Sequence, residues 1–411
     1  MTLETPPRDD DASPMNEDDG FNGDGFVGDD SAGDFEIVEV LSINSNSDSE
    51  SDDECTCPKI ASKLTLTHNE SVFSAHFSPN NELIVTASQE DKACVWNADT
   101  GELVFECTGH EDSVIEAKFN NSGTYVATGD MNGSVKVWKV ESKTLHDENT
   151  PMGDEVSWLF WHPITNVLFA GFKSGDSYMW RLPMTEFKIL FGRGSENVCG
   201  ALLPDGKRLA VGYHDGTVTI FDLKTAKEIC SYKKRQEVAV TAIDCYSDNN
   251  LIAIGYEDEG IVIIKSTNGN EVAVLKKEDF NAENYTEAVK FGIGPTSNIL
   301  AAANGSEINF WDFSRQSLRK SVKLPNEHPA RIQWNKNGIL YVAGVHKNNI
   351  YGIDGRSGEV ISIFKEHTDS ILDICLSNDN KFLMSASDDG TVKVFDISIN
   401  PDANSNSASS D

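Results

Sequence analysis

The chain has 411 residues, 66 of them acidic against 34 basic, for a formal charge of -32. That balance excludes non-specific capture of nucleic-acid phosphates or anionic membranes and favours basic partners. No stretch approaches the roughly 18 apolar residues of a membrane span, and the opening MTLETPPRDD lacks the basic and apolar regions of a signal peptide, so a soluble protein of the cytoplasm is expected, with the nucleus as a second location.

Residues 1–59 hold 18 acids and two bases, with many Gly, Ser and Asn and few aromatics. Such a segment buries too little apolar surface to offset its chain entropy, so it reads as a disordered acidic tail. Within it DFEIVEVLSI (34–43) mixes acids with apolar residues in the manner of a short docking motif. Ser45, Ser47, Ser49 and Ser51 each have an acid three residues on, a pattern suited to acid-directed kinases. Phosphorylation there would deepen the negative charge. Residues 399–411 read as a second disordered tail. The eight cysteines are scattered, and Cys55 with Cys57 has no second pair to complete a zinc site, so reduced thiols and no metal are expected.

From residue 60 to 398 the pattern becomes short β-branched and aromatic runs separated by Asn, Asp, Gly and Pro turns. VFSAHFSPNNELIVTASQEDKACVWN aligns with VIEAKFNNSGTYVATGDMNGSVKVWK and with ILDICLSNDNKFLMSASDDGTVKVFD. The repeats close on Trp96, Trp138, Trp180, Phe221, Ile264, Trp311, Ile353 and Phe395, with successive gaps of 42, 42, 41, 43, 47, 42 and 42. Eight units of that length, each holding four short strands, predict an all-β fold, an eight-bladed β-propeller.

His68 to Trp96, His110 to Trp138 and His367 to Phe395 each span 28 residues, and Trp311-Asp312 closes its repeat on a Trp-Asp pair. With these features the chain resembles the WD-repeat family. The resemblance implies that the loop histidine, a strand Ser or Thr, a turn Asp and the closing Trp form a buried hydrogen-bonded tie within a blade. Carried over, the tie in the second blade would use His110, Thr128, Asn132 and Trp138, and that in the eighth His367, Ser387 and Asp389; His68 holds the same place in the first. It also implies that SKLTLT (62–67) completes the last blade, which stops one strand short at VKVFDIS. A narrower resemblance, carried by GELVFECTGHEDSVIEAKFNNSGTYVATGDMNGSVKVWKV, WLFWHPITNVLFAG and LPDGKRLAVGYHDGTVTIFDLK behind an acidic tail, is to the angio-associated migratory cell protein family. Its fungal relatives are eight-bladed chaperones of one newly made, basic large-subunit ribosomal protein; its animal members suggest the alternative of a signalling scaffold or adaptor linked to cell migration.

GHEDSV (109–114) sets His110 beside Glu111 and Asp112, a composition from which acid–base chemistry could be built. The same loop position elsewhere reads THNESV and EHTDSI, and recurrence around a ring marks a structural histidine. No phosphate-binding loop, HExxH or GxSxG appears, so no enzyme, no catalytic residue and no cofactor are expected. In a propeller the loops leading into each blade share a face with the turns between second and third strands. The loops supply Glu70, Glu111, Asp112, Asp154, Glu155, Glu196 and Asp369, and the turns Glu257 and Asp388; Glu90, Asp91, Asp130, Asp176, Asp215, Asp258, Glu287 and Glu366 join them. Phe73, Ile115 and Met131 would give this face an apolar centre. The expected partner of a monomeric chain is therefore a basic protein segment, a large-subunit ribosomal protein in the family's terms, with no direct nucleic-acid or membrane contact. The basic cluster YKKRQE (232–237) reads as a solvated loop.

Overall fold

The structure is a computed structural model that describes residues 57–398 apart from 150–153, 235–237, 249, 258, 259, 278–284 and 325. The two expected tails up to residue 56 and from 399, Ser45, Ser47, Ser49, Ser51 and Asp258 lie outside the described residues. The strands form eight four-stranded antiparallel sheets. Blades 1 to 8 begin with Val72–Phe77, Val114–Phe119, Val156–Trp161, Asn197–Leu202, Val240–Cys245, Thr286–Phe291, Pro329–Trp334 and Ile371–Leu376. Each of these first strands packs against the first strands of the two neighbouring blades, and blade 8 meets blade 1 to close the ring. This is the eight-bladed propeller that the repeat period predicts.

The layering follows from where each strand lies. Second strands such as Leu83–Ser88, Tyr125–Asp130 and Phe382–Ser387 sit between neighbouring sheets and are buried over their last five residues. Their sequences are accordingly runs of Val, Ile, Leu, Ala, Ser and Thr rather than strict alternations. Fourth strands at the rim, such as Thr144–Glu148, are mostly exposed and polar.

Ser62–Thr67 pairs antiparallel with Thr391–Asp396 and supplies the fourth strand of blade 8. Leu66 is buried with Ile84, Met384, Val392 and Val394, so the expected closure is present. Ahead of it the chain runs along the outer strand of blade 7: the Ile60 N–H donates to the Ile363 carbonyl at 3.3 Å, and the Ile363 N–H to the Pro58 carbonyl at 3.4 Å.

One end of the ring is cross-linked identically eight times. In every blade the turn after the second strand donates a backbone N–H to the loop leading into the first strand, as Met131 does to Ser113 (3.0 Å), Lys173 to Glu155 (2.9 Å) and Asp388 to Ser370 (3.0 Å). Loops and turns therefore share one face, as expected. The turns also press on the next blade. Gly133 has a φ of +77°, and a Cβ there would lie 2.3 Å from the Asp154 carbonyl oxygen, so only glycine fits. Each first strand carries a one-residue bulge just inside this face, at Phe73, Ile115, Ser157, Val198, Thr241, Glu287, Ala330 and Leu372.

Deeper in the ring, Asp373 of blade 8 accepts the Ala75 N–H at 3.3 Å and lies 3.6 Å from His76 Nε2. Burial, reinforced by the charge of Glu116, pushes the Asp373 carboxyl up to about 6. Burial, with Lys118 beside it, holds His76 well below the ordinary histidine range, so the ring is neutral and gives the carboxylate no counter-charge. The native carboxyl binds its proton more tightly than the unfolded one. Stability from this group is therefore full below about pH 4 and is lost as pH rises to about 6, after which it is constant. Asp373→Asn should stabilise the fold by up to about 2 kcal/mol at about pH 7.5 and change little at about pH 4.5. Urea unfolding at the two pH values checks this, and an equal effect at both would refute it.

Candidate functional site

Three histidines of the shared face, His68, His110 and His367, point into the blades. In blade 2 the buried His110 places Nδ1 2.7 Å from Asp130 Oδ2 and Nε2 2.7 Å from Thr128 Oγ1, which also accepts the Trp138 Nε1–H at 2.9 Å. Blade 1 repeats the tie with His68, Thr86 and Trp96, its acid being Glu90 at 3.1 Å. Blade 8 uses His367 with Asp389 (2.9 Å) and Ser385 (2.7 Å), and Phe395 offers no N–H to complete the chain. Burial lowers the pKa of both His68 and His367.

Two members of the expected ties are thereby corrected. In blade 2 the acid is Asp130, at the end of the second strand, and not Asn132, whose backbone N–H donates to Asp130 Oδ1 at 3.1 Å. In blade 8 the hydroxyl is that of Ser385 and not Ser387, which donates to the Asp369 carbonyl at 3.0 Å instead. Asp130 also takes the Ser134 N–H at 2.7 Å, so its carboxylate serves turn and histidine together. Blade 6 lacks the tie's hydroxyl: Ala302 stands at the strand position of Thr86 and Thr128, and the buried Trp311 Nε1–H has no partner among the described residues. His110→Ala leaves the fully buried Asp130 without its counterpart and should cost about 3 kcal/mol in chemical unfolding. The exposed Glu111→Ala should stay within about 0.5 kcal/mol, and equal effects would remove His110 from this role.

The acids divide into engaged and free. Glu155 pairs with Lys173. Asp176 accepts the Gly192 N–H at 2.8 Å, and Asp215 holds Thr217 and Lys233. Glu366 takes the Ser62 N–H at 2.9 Å. Glu90 and Asp130 belong to the ties and leave the rim. Asp112, Asp154 and Asp369 each accept the next residue's N–H on Oδ1, at 2.8, 3.0 and 2.8 Å, which props the loop. Glu70, Glu111, Asp112, Glu196, Glu257 and Asp369 are exposed, while Asp154, Glu155 and Asp388 are half-buried.

Carboxylates without a cationic partner include Asp154, Glu196 and Glu257 of blades 3 to 5 and, in a closer run, six on one arc. Asp369 and Asp388 of blade 8, Glu70 and Asp91 of blade 1, and Glu111 and Asp112 of blade 2 follow one another across the ring closure, and none has an ion pair among the described residues. Blades 3 to 5 carry their own cations on this face, including Lys233 of the YKKRQE cluster, 2.8 Å from Asp215. The same arc holds the apolar candidates: Phe73 and Ile115 occupy the bulges of blades 1 and 2, with Met131 in the turn of blade 2, all half-buried. Leu372 holds the equivalent bulge of blade 8; aligning SILD with SVFS and SVIE would have placed it in the candidate set. An apolar centre beside uncompensated carboxylates suits an extended basic chain carrying some apolar residues.

No group of three or more His, Cys, Asp or Glu side chains suited to a metal occurs among the described residues. The seven cysteines among them are free thiols, and burial pushes those of Cys94, Cys199 and Cys375 up to about 12, far from a reactive thiolate.

The WD domain, G-beta repeat family matches residues 61–97, 101–139, 187–222 and 358–396, which include the three blades that keep the histidine tie. Angio-associated migratory cell protein from Homo sapiens is 32% identical over 349 residues, covering 80% of this chain and 78% of that protein. Among solved structures, Saccharomyces cerevisiae Sqt1 superposes with a TM-score of 0.73 at 18% identity, over 83% of this chain and all (100%) of that one. Chaetomium thermophilum Sqt1 bound to the N-terminus of the ribosomal protein L10 superposes with a TM-score of 0.70 at 20% identity, over 82% of this chain and 100% of that one.

Proposed function

The chain belongs to the angio-associated migratory cell protein family of WD-repeat proteins, and from that premise we propose that it is a non-enzymatic escort of a basic, newly made protein of the large ribosomal subunit. The observation that carries this reading is the arc of six unpaired carboxylates across blades 8, 1 and 2, set around Leu372, Phe73 and Ile115. A lysine- and arginine-rich segment laid over that arc would gain charge-assisted contacts and be screened from RNA until delivery. The Sqt1 structure with the L10 N-terminus supports the choice of cargo, since there a propeller of the same fold binds the N-terminus of a ribosomal protein. The escort would act in the cytoplasm and accompany its cargo to the nucleus.

Calorimetric titration with a synthetic L10 N-terminal peptide tests it. Binding at low salt should weaken at least tenfold between about 0.05 and about 0.3 M ionic strength. Absence of binding at low salt would overturn the proposal. The adaptor reading has its own footing in Phe187 and Phe191, which are 55% and 69% exposed. It expects partners that dock on such apolar surfaces with little dependence on salt.

A further inference from the structure

At the end of the ring away from the acidic arc, where the first strands of blades 5, 6 and 7 finish, a cavity of about 300 Å³ opens. Its walls include Asp244, Lys290, Phe291, Ile293, Gln333 and Trp334. Both oxygens of Asp244 are engaged: Oδ1 accepts from Lys290 Nζ at 3.0 Å and Oδ2 from the Phe291 N–H at 2.8 Å. Lys290 keeps two N–H groups without a partner, and the Gln333 carboxamide has no hydrogen bond among the described residues. The Trp334 Nε1–H is already spent on the Lys290 carbonyl at 3.2 Å, so its ring offers only apolar surface. Ile293, 39% exposed, extends that surface to the lip. The charge of Asp244 raises the pKa of Lys290 and keeps it cationic.

We infer that this cavity is a second binding site, which takes a carboxylate carried on an apolar or aromatic body and supplied by an acidic segment of a partner protein. A fixed ammonium with two spare N–H groups calls for an anionic oxygen. The walls call for an apolar group beside it. The volume, at the small end of ligand sites, suits one side chain and its neighbour rather than a large cofactor. The choice of an acidic source follows from charge: the carboxylate arc repels such a segment from the opposite face, and Lys290 receives it here. The two faces then select partners of opposite sign, so occupation of one leaves the other free.

Fluorine NMR of the full chain labelled with 5-fluorotryptophan tests this, because Trp334 lines the cavity and Trp334→Phe identifies its resonance among the seven tryptophans. The probe is N-acetyl-Glu-Phe-Glu-amide, with its Gln-Phe-Gln counterpart as the neutral control. The acidic probe should shift the Trp334 resonance saturably with a Kd of about 1 mM, and the neutral one should bind at least about tenfold more weakly. Lys290→Arg should keep the response, and Lys290→Met combined with Asp244→Asn should lose it at least tenfold. If the double variant disturbs the other tryptophan resonances, Gln333→Leu, which removes the carboxamide donors and adds no charge, decides instead and should weaken the response at least about threefold. No saturable shift, equal binding of both probes, or an undiminished response in the deciding variant would each overturn the site.

Discussion

A chain starting at His68 is expected to melt about 10 °C or more below one starting at Cys57, whereas removing residues 1–56 should leave the melting temperature nearly unchanged. Ser62–Thr67 contributes a full ladder to Thr391–Asp396, and its loss exposes the backbone edge of that strand together with the apolar patch of Val392 and Val394 that Leu66 covers. Leu64 adds a link between blades, since its side chain lies against Gly101 of blade 1, where a Cβ would come within 2.7 Å of it. Opening the ring here therefore loosens two blades together. Leu66→Ala alone should cost about 2 to 4 kcal/mol in urea unfolding, the range for a buried leucine in a packed core. Equal melting temperatures for the two truncations would refute the closure as a source of stability.

Replacing Glu70, Glu111 and Asp112 together by lysine is expected to lower affinity for the L10 N-terminal peptide by about 100-fold at low salt and to flatten its salt dependence. The change in stability should be small, because Glu70 and Glu111 are exposed and unpaired. Asp112 gives up its bond to the Ser113 N–H, worth about 0.5 to 1 kcal/mol. Glu155→Lys provides the contrast: its charge is already answered by Lys173, so its effect on affinity should be several-fold smaller. If Glu155→Lys matched the triple variant, recognition would depend on net charge and not on the arc.

The propeller was legible because its period is a spacing, and spacing survives the loss of individual signatures; Phe221, Ile264 and Ile353 keep the beat without a tryptophan. The ties were legible only in part. The sequence reading takes the acid of blade 2 from the turn, at Asn132, whereas the structure draws it from the strand end two residues earlier. At that position blades 1 and 8 have Ser88 and Ser387, whose hydroxyls accept the turn N–H groups of Glu90 and Asp389. A carboxylate in the same place does that work and reaches the histidine as well, and only the three-dimensional path of the strand reveals it. Pairing likewise decides which rim acids remain free. Nothing in the order of residues brings Lys173 to Glu155, 18 positions away, or Lys233 to Asp215, also 18 away, and these contacts answer rim acids of blades 3 and 4 that the sequence alone leaves looking free. The cavity beneath blades 5 to 7 left no sequence signal, because its walls come from four blades.

The strand that closes blade 8 is the first of the ring to be translated, and its partner, Thr391–Asp396, is among the last. At about 5 to 20 residues per second, the intervening stretch takes roughly 20 to 60 s to synthesise. Throughout that time Ser62–Thr67 must wait as a bare edge, and its outward Lys63, Thr65 and Thr67 keep it a poor template for other strands. The ring can shut only once Thr391–Asp396 has left the ribosome. No nascent fragment that lacks Thr391–Asp396 can present the complete arc of blades 8, 1 and 2, so an escort of this design becomes competent to hold cargo only after its last blade has emerged.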